Sequence, residues 1–199
     1  MSKITLCDAR GPLNDVTDKL SGEDGDLWLA AFKRFLRREN PWTSVGKLVA
    51  TVVLGTYPTA AKLREALEAA GHKISDWAGD ILAKTPISKE KAELDLFEVT
   101  VAELGFAQGA ARADIYRRAV ELGFAVVPAE AGALLRLQLG SQVKGERLLI
   151  GMEPLAGRSG DPDVFDVERG GGGSWLYASD GGAGSVWSPG DRWVFGRAK

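Results

Sequence analysis

Cysteine and histidine are almost absent from this 199-residue chain, with Cys7 and His72 the only examples. A single cysteine excludes an intrachain disulfide and any zinc site built on thiolates. A single histidine leaves carboxylates as the only numerous metal ligands, and no metal site is expected. A Ser-His-Asp or Cys-His engine would have to run through His72, and no Gly-x-Ser-x-Gly nucleophile motif accompanies it. His72 follows Gly71 just past an expected helix and reads as structural or solvated. Charge of one sign is not in excess either, since 25 basic and 27 acidic side chains leave a formal net charge of -2. That balance provides no electrostatic footprint for unspecific nucleic-acid binding. No apolar run approaches the roughly 20 residues of a membrane span, and the N-terminus lacks an apolar signal core. The expectation is a cytoplasmic protein without a membrane partner.

What is present is an ordinary globular composition, 45% apolar and 26% charged, and a change of period along the chain. Residues 1–25 are polar and read as an extended or loosely helical arm. Asp26 caps a first strong helix, with Leu27, Trp28, Ala31, Phe32, Phe35 and Leu36 at helical spacing and Asn40-Pro41 ending it. Val45 to Leu54 is β-branched and reads as a buried strand. Thr59 caps a helix to Ala70, and another spans about Ser75 to Ala83. Leu94 to Val99 suggests a strand, Thr100 and Glu103 a capping box, and Ala111 to Leu122 an amphipathic helix. Pro128 opens a short helix. From Leu134 the period changes to two, giving five strand candidates: 135–139, 147–152, 164–168, 175–177 and 192–195. The expected fold is α+β, N-terminal helices followed by a C-terminal antiparallel sheet of about five strands. The expected organisation is a polar arm (1–25), a mostly helical subdomain (26–88) and an α+β subdomain (89–199).

Three patterns bear on chemistry. Asp161, Asp163, Asp166 and Glu168 form an acidic cluster without EF-hand spacing, and read as solvated turn and strand-face carboxylates. Gly170 to Gly173 leads into a strand and not a helix, so it reads as a hairpin turn and not a phosphate cradle, and no cofactor is implied. Arg112, Arg117, Arg118, Arg136 and Arg147 suggest a basic patch. However, Glu65, Glu68, Asp76 and Asp80 make the adjoining helix pair acidic or neutral, which argues against nucleic acid.

The C-terminal segment is richer. Three of the six tryptophans, Trp175, Trp187 and Trp193, lie in the last 25 residues, interleaved with Ser, Asp, Gly and Ala. Rigid aromatics beside small adaptable polar residues have the composition of a binding paratope. Leu96 to Phe106, Asp114 to Gly123, Val127 to Glu130, Leu149 to Pro154 and Asp191 to Phe195 resemble a family of uncharacterised bacterial proteins. That resemblance covers about residues 75–199 and implies no activity. From Tyr177 to Gly190, 13 of 14 residues avoid Gln, Lys, Glu, Met and Trp, the exception being Trp187. In this the segment resembles the variable region of proteins diversified by retroelements, in which adenine-rich codons are rewritten near the gene's end. Many such proteins carry a C-type-lectin-like fold, a pattern that the helical half of this chain does not match.

These readings favour a non-enzymatic ligand-binding protein that displays residues 177–190 to a protein or other macromolecular ligand. Tyr177 supplies contact area, and Ser179, Asp180, Ser185 and Ser188 supply hydrogen bonds. Trp175, Trp187 and Trp193 hold the base, and Trp187 also counts among the binding residues. The alternative is a hydrolase or transferase using Glu130, Glu153, Asp166 or Glu168. A regulatory nucleic-acid-binding module is third.

Overall fold

A computed structural model describes residues 6–37, 45–140 and 142–197, and the chain divides into two compact units, Met1–Ser44 and Val45–Lys199. The first unit contains helices α1 (Leu6–Leu20) and α2 (Gly25–Leu36), joined by a short turn. The expected arm is thus helical over α1, where Leu13, Val16 and Leu20 recur at helical spacing. Lys19 crosses to α2 with its Nζ 4.3 Å from the Trp28 ring centroid. The expected helix end at Asn40-Pro41 lies outside the described residues.

The second unit runs β1 (Lys47–Leu54), α3 (Ala60–Ala69), β2 (Lys73–Ile74), α4 (Asp76–Ala83), β3 (Ala92–Thr100), β4 (Ala110–Ala111) and α5 (Arg112–Glu121). It continues with β5 (Phe124–Ala125), α6 (Glu130–Gln138), β6 (Arg147–Ile150), β7 (Leu155–Ala156), β8 (Pro162–Gly170), β9 (Gly173–Asp180), β10 (Val186–Trp187) and β11 (Arg192–Arg197). Local signals set many boundaries. The Thr59 and Ser75 hydroxyls accept from Lys62 N and Ala78 N, each at 3.2 Å, and so cap α3 and α4. Thr100 N donates to Glu103 Oε2 at 2.7 Å and Glu103 N to Thr100 Oγ1 at 3.1 Å, a reciprocal capping box.

A nine-stranded sheet follows the order β1-β3-β11-β6-β8-β9-β2, with β5 beside β11 and β7 beside β8. It is mixed, because β11 runs parallel to β6 and β2 parallel to β9. This corrects the simple antiparallel sheet expected from alternation: the last strand returns to the middle of the sheet, between β3 and β6. The helices are not confined to the N-terminal half either, since α5 and α6 lie between strands. The boundary expected at residue 88 falls inside the larger unit, where β1 pairs with β3 over seven residue pairs.

Helix α6 explains the one strand that the sequence misplaces. Residues 135–139 alternate, yet 135–138 belong to α6. Residues 130–136 are all buried. A helix enclosed on every side needs no polar stripe, so its residues show no period of 3.6. Gly132 brings α6 onto the sheet, since a Cβ there would lie 3.0 Å from Ile150 and 3.1 Å from Phe165. The buried Glu130 carboxylate accepts from Ser88 N at 2.9 Å and Gly55 N at 3.2 Å, pinning two loops to the start of α6. On the opposite face of the sheet, Tyr116 of α5 packs edge-on to Trp193 and Phe195, both at 5.5 Å between ring centroids.

Candidate binding face

The tight hairpin between β8 and β9 determines which side chains meet. Gly170 pairs with Gly173, so the turn has two residues and the register is fixed: Glu168 lies opposite Trp175, Asp166 opposite Tyr177 and Val164 opposite Ser179. Phe165 points at Gly132 of α6, so alternation turns Asp166 and Glu168 to the other face, with Trp175, Tyr177 and Ser179 of β9. Strand β6 adds Arg147, opposite Glu168, and Leu149, opposite Asp166.

On this face Trp175 and Tyr177 stack with centroids 5.0 Å apart and planes 12° from parallel. The Lys73 ammonium extends the row, 5.2 Å from the Trp175 centroid. Both rings are partly exposed. Beside them, Arg147 Nη2 donates to Ser179 Oγ at 2.9 Å, and Ser179 Oγ donates to Asp166 Oδ2. Arg147 Nε lies 3.7 Å from Asp166 Oδ1, and the guanidinium sits 5.4 Å from the Trp187 centroid. Trp187 in turn meets Trp193 edge-on at 5.2 Å. Arg147 also borders a cleft of about 460 Å³ with Glu146, Leu149, Asp191 and Arg192. Arg192 Nη1 bridges Glu146 at 2.7 Å and Glu98 at 3.2 Å.

Of the six expected binding residues, Tyr177, Ser179 and Trp187 therefore gather around Arg147 and Asp166. The other three do not join them. Asp180 accepts from Gly182 N and Ser185 Oγ, both at 2.7 Å. The Ser185 and Gly182 hydrogen bonds hold its carboxyl below the usual range. Asp180 and Ser185 thus build a turn. Ser188 N donates to Asp191 Oδ2 at 2.7 Å, making a second one. Residues 181–190 are also tied down along their length. Gly181 N reaches Pro162 O, and Ser185 O and Ala183 O accept from Arg112 N and Ala113 N at the start of α5. β10 pairs with β4, and Gly109 (φ +89°) approaches so closely that a Cβ there would lie 2.5 Å from Trp187 O. The expected display loop is therefore strand β9 followed by a tethered crossing over α5. Val186 is its most exposed large apolar side chain, at 76%.

The basic patch and the carboxylate set are dispersed. Arg136 is fully buried, Arg112 packs on Tyr116, and Arg118 donates to Leu104 O. Glu130 serves the two loops above, Glu153 is exposed beside Val127 and Leu155, and only Asp166 and Glu168 share a face. His72 is partly buried, and burial and the charge of Arg136 lower its pKa. In the sequence Trp175 reads only as an anchor, and nothing there links Arg147 with Ser179. The two-residue Gly171-Gly172 turn carried the signal for the Asp166–Tyr177 pairing.

Asp166 is 2% exposed, and burial raises its pKa against the opposing Ser179 hydrogen bond and Arg147 charge. A carboxyl raised in the folded state binds its proton more tightly folded than unfolded, so its ionisation opposes folding. The resulting cost is present above the folded pKa and relieved as pH falls toward the unfolded value of 3.8. Asp166→Asn removes this dependence. Relative to wild type, the variant gains stability at neutral pH compared with acid, as urea titrations at several pH values will show. Parallel pH profiles for the two proteins would contradict the assignment.

Comparison with protein-family models, with curated proteins and with solved structures yields no match for this chain. The reading of its function therefore rests on the geometry of this face.

Proposed function

We propose that the protein is a recognition protein that binds a macromolecular partner through the outer face of β6, β8 and β9. The observation that carries this reading is the partly exposed Trp175–Tyr177 stack beside the Arg147–Ser179–Asp166 network. Large rigid rings bring contact area at low entropic cost, and charged groups already held in place contribute orientation without further ordering. Aromatic and arginine side chains also dominate the energetic centres of interfaces. Val186 and Ser188 are exposed on the crossing segment that follows β9.

The proposal includes diversification of this surface in a population of genes, and the fold constrains where it would act. Tyr177, Val186 and Ser188 have side chains that can change without unmaking a turn or the core. Asp180, Gly182, Ser185 and Trp187 hold the segment in place, and Ser179 pairs the buried Asp166 and Arg147. Deep sequencing of codons 170–195 across the source population is expected to find substitutions concentrated on the first three positions and scarce on the other five. Variation spread evenly over both sets, or no higher than in an upstream control, would remove diversification from the account. The binding reading would still stand on its own test.

A further inference from the structure

We infer that the protein binds a small divalent oxyanion at the turn end of the β8–β9 hairpin, on the α6 face of the sheet, where His72, Arg169 and the buried Arg136 come together. This site lies on the opposite face from the recognition surface and does not depend on it. Three neighbouring strands assemble it. Lys73 pairs with Trp175 in the parallel β2–β9 register, and both side chains lie on the outer face. Alternation turns Ser174 to the α6 face, and with it His72, one residue before β2. Arg169 pairs with Ser174 across the hairpin, and its Nη1 donates to Ser174 Oγ at 2.9 Å. His72, Ser174 and Arg169 thus form a row across the ends of three strands. Helix α6 brings Arg136 to this row, since Arg136 Nη1 donates to the carbonyl of Glu168, the residue before Arg169.

Charge selects the ligand. Arg136 has no exposed surface, its Nε has no hydrogen-bond partner, and its other donors meet neutral oxygens. Among the described residues no carboxylate forms an ion pair with Arg136, Arg169 or His72. The acids nearest in the fold are engaged elsewhere. Glu146 holds Arg192 and Val143 N, Glu68 lies 3.7 Å from Arg64, and Glu168 faces outward. The bases also act on one another: the Arg136 charge lowers the His72 pKa, and the Arg169 charge lowers that of Arg136. A buried cation without a counter-charge is costly, and the carbonyls ending α6 supply only a partial one. His72 and Arg169 are partly exposed and Ser174 is buried behind them. An anion entering from solvent therefore meets a guanidinium, a hydroxyl and an imidazole that takes up a proton from water as it binds. Two arginines without carboxylates match the charge of a dianion.

The single histidine provides the readout, with sodium sulfate as the probe because it stays divalent across the pH range of imidazole. Sulfate replacing chloride at constant ionic strength is expected to move the His72 imidazole NMR resonances of the full chain along a saturable curve. Its affinity should be about 10-fold higher at about pH 5.5 than at about pH 8, since protonation adds a positive charge beside the anion. Arg169→Gln is expected to weaken sulfate about 10-fold or more by removing a charge-assisted contact, with near-UV circular dichroism unchanged. By calorimetry, His72→Gln should retain the weaker binding and lose its pH dependence. Lys62→Gln, which removes an exposed cation on α3, should change nothing. A shift that does not saturate, affinity independent of pH in wild type, or equal losses in Arg169→Gln and Lys62→Gln would each overturn the proposal.

Discussion

Trp193→Ala is expected to destabilise the Val45–Lys199 unit by about 3–5 kcal/mol, the range for truncating a large buried aromatic. Trp193 is fully buried at the centre of the outer-face cluster, in ring contact with Tyr116, Trp187 and Phe195. The cavity it would leave has little means of closing. Tyr116 is fixed by its hydroxyl, which donates to Met152 O at 2.8 Å, and Trp187 is held by the β10–β4 pairing. Trp193 Nε1 has no hydrogen-bond partner, so Trp193→Phe should lose much less than the alanine variant. Chemical denaturation followed by far-UV circular dichroism checks both. A loss below about 1 kcal/mol for alanine, the level of a surface substitution, would show that this cluster is not the core.

Arg136→Ala is the second large effect, at about 3 kcal/mol, from two or more polar groups left unsatisfied at 1–3 kcal/mol each. Arg136 lies on α6 with no exposed surface. Its guanidinium donates to Gln142 Oε1 at 2.6 Å, to Glu168 O at 3.3 Å and to Leu139 O, closing the end of α6 onto β8. Gln142 carries the network on, donating to Glu146 O and Val167 O, both at 3.0 Å. Burial, with the nearby Arg169 charge, lowers the Arg136 pKa to about 10, so the side chain remains a cation at neutral pH. Its hydrogen bonds go to neutral oxygens, which makes Arg136→Met the informative companion. Methionine keeps the volume but none of the donors, so a loss close to that of alanine would assign the effect to hydrogen bonding and not to packing. If both variants unfold like wild type, the network contributes nothing to stability.

Much of the fold was legible because its signals are local. The caps at Thr59 and Ser75, the Thr100–Glu103 box and the β-branched run of β1 depend on residues a few positions apart. The strands β6, β8, β9 and β11 were visible in their alternation. What escaped depends on contacts distant in sequence. The C-terminal half of α6 alternates like a strand because its surroundings, and not its own pattern, decide its burial. The insertion of β11 between β3 and β6 has no local signature. The tethering of residues 181–190 uses backbone N–H groups of Arg112 and Ala113, which any residues could supply.

The candidate face divides in the same way. Composition pointed at the strand that carries Tyr177 and Ser179, and at Trp187 beside it. It did not separate Asp180 and Ser185, whose side chains are spent on a turn. Nor did it find Arg147, which reaches Ser179 only because β6 pairs with β8 and β8 with β9. Register converts a stretch of suggestive residues into a surface, and the register follows from the Gly171-Gly172 turn and from the sheet order together.

The most direct test of the account is the affinity of a captured partner for three proteins: wild type, Trp175→Ala with Tyr177→Ala, and the control Trp77→Ala. Trp77 is 48% exposed beside Asp161 and Asp163, away from the Trp175–Tyr177 stack. The account predicts that the double variant binds at least about 30-fold more weakly, at roughly 1 kcal/mol or more per interface aromatic. The control should bind as wild type does, with all three proteins equally folded. Unchanged affinity in the double variant, or an equal loss in the control, would contradict recognition through this face.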